Sequence, residues 1–427
     1  MTTFLGMRGN GNWTDDMRPL NWRQGILYRY PNGEAPLTGL LSMLGEEKVP
    51  DPQYHWWTQG LPAQRGTVTE VYTGVMATAY TTGGVAGDTL YVNISTEETC
   101  KEFRVGHQVL LRNSANYADD TNAKVTAVVL NGTSSYVAVK LLEDDPTTTG
   151  IADCNTILVI GNINAEGAAM PGAIATDPVK FYNYTQIFRT PLSITRTARM
   201  TNMRTGDNYK KAKREALQMH SVEMEKAFLQ GIRTENTGSN GKPERTTWGL
   251  IPFLRDNDGI VSDFTTQTDF TDVTWLDSGE EWLDYNLEQV FRYGSGERVA
   301  FCGSGVILAI NKLIKEYGNF EFTPKTKAYG INVTEWHTPF GMINMIRHPL
   351  FSYETTNRYS MVVFEPESLK YKYITDTTFY ADPDKQNTGR GRIDGTDEEY
   401  LTECGLEFQH SNGGAWLNGF NSDNGTP

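Results

Sequence analysis

The first 65 residues carry Trp13, Trp22, Tyr28, Tyr30, Tyr54, Trp56 and Trp57 on a stretch broken by Pro19, Pro31, Pro36, Pro50, Pro52 and Pro62. Proline fixes φ, removes a backbone donor and pushes the preceding residue out of the helical region, so this stretch reads as an extended arm. Only residues 38–44 have helical character, with Thr38 as a candidate N-cap, Leu40, Leu41 and Leu44 as its apolar positions, and Gly45 as a stop. Each aromatic can bury about 150–250 Å², and at ~25 cal/mol per Å² that is several kcal/mol of transfer free energy. The arm has no local core. Its rings must therefore be covered by another part of the molecule or by a neighbouring one, and an arm of this type grips something.

The chain is long enough, at 427 residues, for two or three cores. No run approaches the roughly 18 consecutive apolar residues of a membrane span. The first 16 residues have no apolar stretch of signal-peptide kind, so export is not expected. Cys100, Cys154, Cys302 and Cys404 are far apart and form no C-x-x-C pair, which predicts free cytosolic thiols rather than a zinc site. A net charge of −14 argues against a protein that grips nucleic acid over its whole surface. The charge is uneven, however. Between residues 189 and 233 ten Lys/Arg face four Asp/Glu, a local +6. Arg196, Arg199, Arg204, Lys210, Lys211, Lys213 and Arg214 are its centre, and they fit a surface turned to nucleic acid or to an acidic neighbour as well as a solvated face.

Further along, residues 66–160 turn to β. Val105, Val109 and Leu111 precede Val125, Ala127 and Val129, then Tyr136, Val137 and Val139, with Asn131-Gly132 as a hairpin signal between the last two runs. Short strands at that spacing predict a small barrel or sandwich, acting as a rigid spacer or as a binding module. Residues 181–197 alternate as one long strand. They lead into the best helix of the chain, 207–230, with Asp207 as N-cap, Gly231 as stop, and Leu217, Met224 and Phe228 on one face. At about 1.5 Å per residue that helix is a beam of roughly 35 Å.

Residues 275–374 alternate helix and strand. A capping box of Ser278 and Glu281 opens one helix with Leu283, Leu287 and Val290 inward and Gly294 as terminator. After a strand at 298–302, Ser304 caps a second helix with Val306, Ile310, Leu313 and Tyr317 inward and Gly318 at its end. Strands follow at 331–337, 342–347, 360–364 and 369–374, a compact α/β domain. The tail carries one more strand at 400–408.

The sequence lacks the phosphate loop G-x-x-x-x-G-K-[ST], a G-x-G-x-x-G after a strand, and H-E-x-x-H. Ser304 has no nucleophile elbow around it. His55, His107, His220, His337, His348 and His410 show no metal-ligand spacing, and the pair Glu335 and His337 on one strand face reads as structural. Glu280-Glu281 and Glu398-Glu399 are adjacent carboxylates, which keeps a β-rich glycan-active enzyme as a remote alternative. The chain therefore reads as a structural protein, with no enzymatic activity, cofactor or metal expected.

Several short segments resemble one family. Pro36-Leu37-Thr38-Gly39-Leu40-Leu41-Ser42-Met43-Leu44-Gly45, continuing to Tyr54-His55-Trp56-Trp57, is similar to the N-terminal arm of a group of tailed-phage major capsid proteins. Asn183-Tyr184-Thr185-Gln186-Ile187-Phe188 resembles the same group, as does Tyr400-Leu401-Thr402-Glu403-Cys404-Gly405-Leu406-Glu407-Phe408 with Ala415-Trp416-Leu417-Asn418-Gly419 behind it. Residues 329–350 match more loosely. The segments span nearly the whole chain in the family's order.

The resemblance implies an α+β chain of the Hong Kong 97-type capsid fold. An arm (1–66) precedes an extended loop carrying the inserted β domain (67–205). A peripheral domain with a spine helix (206–265), an axial α/β domain (266–374) and a C-terminal return to the peripheral domain (375–427) follow. It implies a subunit that assembles with itself as hexamers and pentamers around double-stranded DNA. A portal protein would sit at one vertex, with scaffolding or decoration proteins as further partners and assembly in the cytoplasm of a bacterial host. A nanocompartment shell enclosing an enzyme cargo shares the fold and is the alternative. On this reading Trp22, Tyr28, Tyr54, Trp56 and Trp57 are the inter-subunit residues of the arm.

Overall fold

The alternating valines between residues 105 and 139 belong to a closed barrel. Its strands run Arg65–Tyr72, Thr89–Ile94, Tyr136–Leu141, Asn116–Val129, His107–Asn113 and Thr156–Asn162 around the ring. Val109, Leu111, Ala123, Val125, Val137 and Val139 point inward and are buried, while Val105 and Val129 are exposed. The turn Gly132–Ser134 joins two of the strands at the expected Asn131-Gly132 signal. This computed structural model describes Leu37 and residues 46–60, 62–94, 96–146, 150–167, 170–201, 207–317, 322–324, 333–381 and 395–422. The chain divides into two compact units: residues 57–179, which hold the barrel, and the remainder.

The second unit is built mainly on two larger sheets. A four-stranded sheet has the order Glu46–Lys48, Leu369–Tyr380, Gly395–Phe408, Gln186–Thr195. The long helix Asn208–Gln230 covers one face of it. Asp207 caps that helix by accepting from the backbone N–H of Tyr209 (2.9 Å) and Lys210 (3.4 Å), and the helix stops at Gly231 as the sequence predicts. Its covered stripe runs Tyr209, Ala212, Ala216, His220, Met224 and Phe228. Leu217, expected inward, lies one position off that stripe and is exposed.

A seven-stranded sheet has the order Ile260–Asp263, Ala415–Asn418, Met361–Phe364, Glu297–Cys302, Gly341–Arg347, Val333–Thr338, Phe322–Pro324. Helices Trp275–Phe291 and Ser304–Tyr317 pack on one face through Trp282, Leu283, Leu287, Val290, Val306, Ile310 and Leu313. The first of them starts a turn earlier than the Ser278 capping box predicts. Thr274 is the cap, its hydroxyl accepting from Asp277 N–H at 3.4 Å. Ser304 is the first helical residue of the second helix rather than its cap. Gly294, at φ +79, does end its helix, in a backbone region that L side chains rarely adopt. On the opposite face of the sheet, Val299, Phe301, Ile346, Val362 and Phe364 share one core with Met224, Phe228, Phe253 and Phe408.

The elements differ from the sequence reading at several points. The run 181–197 is two strands, Val179–Tyr184 and Gln186–Thr195, followed by a short helix Arg196–Met200. The second of these strands belongs to the four-stranded sheet. Residues 369–374, assigned to the axial domain, begin a strand of that same sheet and pair with Gly395–Phe408. The tail serves both sheets: after Gly395–Phe408, the strand Ala415–Asn418 inserts between Ile260–Asp263 and Met361–Phe364. The strand Glu46–Lys48, the hairpin Thr234–Thr237/Pro243–Thr246 and the helix Leu250–Asp256 have no counterpart in the sequence reading. The expected helix at 38–44 and the stop at Gly318 lie outside the described residues.

Candidate functional site

The segments that carry the resemblance are knitted together inside one subunit. The Asn183 side chain is buried and fully bonded. Its Nδ2 donates to the Leu406 carbonyl (2.7 Å), the Trp248 carbonyl (3.3 Å) and the Thr247 hydroxyl (3.2 Å). Its Oδ1 accepts from the N–H of Tyr184 (2.8 Å) and of Trp248 (2.7 Å). A buried amide left half-bonded would cost about 1–3 kcal/mol, so this one fixes the path of the chain. Tyr54 donates its hydroxyl to the same Leu406 carbonyl at 2.8 Å. The crossing is possible because residue 405 is glycine: a Cβ there would sit 2.5 Å from the Tyr54 hydroxyl and 2.8 Å from the Tyr184 carbonyl.

Tyr54 stacks on Trp56 with centroids 6.1 Å apart, and Trp56 stacks on Phe181 at 6.0 Å. Both Tyr54 and Trp56 lie in the shared core. Of the two covers that the arm's lack of a local core allows, another part of the molecule or a neighbour, these two rings take the first. Trp57, next along the strand Gln53–Thr58 and so on the other side of the pleat, is 61% exposed. Trp22 and Tyr28 lie outside the described residues.

The basic stretch is distributed over several partners. Arg189 forms a bidentate pair with Glu399 (2.7 and 2.8 Å). Arg233 stacks over Tyr182 (3.8 Å) and Trp248 (4.0 Å). Lys213 sits over the Phe379 ring at 3.4 Å, and Arg199 over Tyr209 at 4.8 Å. Lys211 meets Glu215 at 3.7 Å, and Lys210 reaches only 4.0 Å from Asp207 with its side chain 83% exposed. Arg196 opens the short helix, Arg214 is exposed on the long one, and Arg204 lies outside the described residues. What remains on the solvent side of the long helix is Lys210, Arg214 and Lys226 beside the exposed Leu217 and Met219.

Other exposed apolar side chains of this unit are Ile187, Val261, Leu276, Tyr285, Leu308 and Phe340. Burial raises the Glu280 and Asp284 carboxyls above their usual range on the helix Trp275–Phe291, and the neighbouring Asp284 charge adds to the effect on Glu280.

The carboxylates Glu398 and Glu399 are engaged on opposite sides of their strand. Glu398 accepts from the Tyr209 hydroxyl (2.6 Å) on the helix side of its strand, whereas Glu399 binds Arg189 on the other. Glu335 is buried and His337 exposed. All four cysteines are free and buried, and burial pushes Cys100 and Cys154 up to about 11 and Cys404 up to about 12. Among the described residues no group of three or more His, Cys, Asp or Glu is placed to hold a metal, and no helix is long and apolar enough to cross a membrane. The sequence reading passed over Glu225, a fully buried acid among Met224, Phe228 and Leu229. An acidic residue inside an apolar helical turn was the available signal.

The model of a family described as SU10 major capsid protein matches residues 24–421. The major capsid protein of Pseudomonas phage PaMx41 is 25% identical over 376 residues, 88% of this chain and 83% of that one. Of solved structures, the capsid of the cyanophage P-SCSP1u is 12% identical at a TM-score of 0.38, covering 62% of this chain and 81% of that chain. The holo-SrpI encapsulin complex of Synechococcus elongatus PCC 7942 is 12% identical at a TM-score of 0.37, covering 58% and 77%.

Proposed function

The chain belongs to the SU10 major capsid protein family, and from that premise we propose that it assembles as hexamers and pentamers into an icosahedral shell around double-stranded DNA. The observation that carries this reading is the apolar surface left uncovered once the subunit has folded. Trp57 on the arm's strand is one part, and Leu276, Tyr285 and Leu308 on the helices over the seven-stranded sheet are another. Obligate interfaces bury about 2,000–5,000 Å² and are more apolar than ordinary surface. The axial part of the chain meets its copies around the symmetry axes, and the arm reaches over adjacent subunits.

Charge supports an orientation. The barrel unit, residues 57–179, holds six Lys/Arg against thirteen Asp/Glu, a net −7, and phosphates repel it. The solvent side of the long helix, with Lys210, Arg214 and Lys226, is the surface that faces the genome or an acidic neighbour. Contacts of this kind go to phosphates, ignore base sequence and weaken with salt. A portal at one vertex, scaffolding or decoration partners, and assembly in a bacterial cytoplasm belong to the same reading. The nanocompartment alternative differs in contents, since its particles hold protein cargo.

Electron microscopy of the purified chain tests the proposal: closed particles or capsomer rings are expected, and persistent 47.8 kDa monomers would overturn it. Trp57→Ala is expected to lower particle yield without changing subunit stability by more than about 0.5 kcal/mol. Trp56 cannot serve in that test, because it is a core residue.

A further inference from the structure

The Glu225 carboxylate has no exposed surface, and one of its oxygens serves two distant segments. Oε1 accepts from the backbone N–H of Leu37 at 2.8 Å and from Nε2 of His348 at 2.8 Å. Leu37 comes from the arm, Glu225 from the long helix, and His348 from the end of the strand Gly341–Arg347 of the seven-stranded sheet. Both donors are themselves buried completely. The His348 ring is held between Phe301 (5.4 Å) and Phe351 (4.9 Å), and its backbone N–H donates to the Cys302 carbonyl at 2.8 Å. Its Nδ1 has no partner among the described residues, which places the ring proton on the Nε2 that points at Glu225.

A pair of buried polar groups in a core is ordinarily only structural. This one differs in that a main-chain N–H of the arm completes it. A backbone donor cannot be swung away as a side chain can, so satisfying it fixes the chain at Leu37. After Leu37, the next described piece of the arm is the three-residue strand Glu46–Lys48, which runs parallel to Leu369–Tyr380 and sets Glu47 beside Lys372. A strand of three residues is a weak tether. The buried carboxylate is the stronger hold, because releasing the arm leaves a completely buried acceptor one donor short in an apolar core.

We propose that Glu225 is a latch that fixes the arm to the long helix and the seven-stranded sheet at once, and that only a latched subunit joins the shell. The second half rests on the shell-forming function argued above. Because a single oxygen holds both donors, a shift of His348 with its strand changes the hold on the arm. The state of the sheet and the position of the arm are thereby coupled.

The test uses the full chain, kept dilute so that it is unassembled, with limited trypsin digestion followed by mass spectrometry of the arm and of the 207–422 region. Glu225→Ala removes the acceptor, Leu37→Pro removes the arm's donor and leaves Glu225 and His348 untouched, and Leu37→Ala trims the side chain while keeping the N–H. Cleavage in the arm tracks the population of the open form, so Glu225→Ala and Leu37→Pro are each expected to speed it by about tenfold or more while the 207–422 region stays resistant. Leu37→Ala is expected to do less than Leu37→Pro. Arm cleavage within about twofold of the parent chain in both Glu225→Ala and Leu37→Pro overturns the latch. So does equal release by the two Leu37 variants, or a loss of resistance throughout residues 207–422 in both Glu225→Ala and Leu37→Pro. Concentrating the same samples then reads the second half by particle yield. Normal particles from a chain whose arm is free would overturn the requirement for latching. A parent chain that makes no particles overturns the shell reading, while the digestion result still judges the latch.

Discussion

Every strand of the barrel between Arg65 and Asn162 is paired on both sides, whereas the two larger sheets of the other unit end in open strands among the described residues. Glu46–Lys48 and Gln186–Thr195 flank one sheet, Ile260–Asp263 and Phe322–Pro324 the other. The barrel's hairpins and turns are local, and its apolar side chains point into its own centre. The other unit joins residues more than 300 positions apart, as where Tyr54 meets Leu406 or Glu47 meets Lys372. Closure makes a region self-sufficient and leaves it few ways to associate. An open sheet has edges to protect, and Pro191 within the edge strand Gln186–Thr195 removes a donor that a foreign strand would otherwise use. The open unit therefore carries the unpaired strand edges, and the barrel carries none.

The comparison breaks most sharply at the cores. Trp282 is wholly buried and donates to the Ser262 hydroxyl at 3.0 Å. Trp282→Ala is expected to cost about 3–5 kcal/mol, and Leu111→Ala inside the barrel about 2–5 kcal/mol. Hydrogen exchange should show each loss confined to its own unit. Equal loss of protection in both units from either variant would mean that they fold as one body.

A smaller effect is expected at Gly405→Ala, where the new Cβ drives into the Tyr54 hydroxyl and the Tyr184 carbonyl. Overpacking of this kind costs about 1–3 kcal/mol. It should lower the denaturation midpoint of the open unit and leave the barrel's unchanged. Wild-type stability would show that the crossing is looser than the geometry states.

The smallest effect is a pH dependence present in both regions. Burial holds His220 of the long helix below its ordinary value of 6.5, opposed by the Glu223 charge. Burial, helped by the Arg104 charge, does the same to His107 of the barrel. With the folded value depressed, the unfolded chain takes up protons first as pH falls below about 6.5. Stability therefore declines through the window beneath that pH and levels off once the folded histidines also titrate. Urea midpoints measured from about pH 7 to about pH 5 should fall in both units, and His220→Gln should flatten the slope of the open unit alone. Unchanged midpoints across that range would refute the assignment.

Much of the local structure is legible in the residues. The alternation around Val109, Val125 and Val137 gives the barrel its strands, Asp207 and Gly231 bound the long helix, and Leu283, Leu287, Ile310 and Leu313 identify the inward faces of two more helices. Capping was less readable: Thr274 rather than Ser278 starts its helix, since both are good caps and only the packing of Trp275 selects between them. The roles of Tyr54 and Trp56 were not readable either. The sequence places them on a stretch without a local core, yet Phe181, Phe253 and Leu406, far along the chain, supply one.

What the sequence alone determined were the periodic elements, their order and their family, because these rest on patterns spaced by a few residues. Tertiary structure decided which strand joins which sheet, which rings stay exposed and where buried Glu225 finds its partners. Those outcomes depend on groups brought together from opposite ends of the chain, and the energy of burying or satisfying them exists only once the fold has closed.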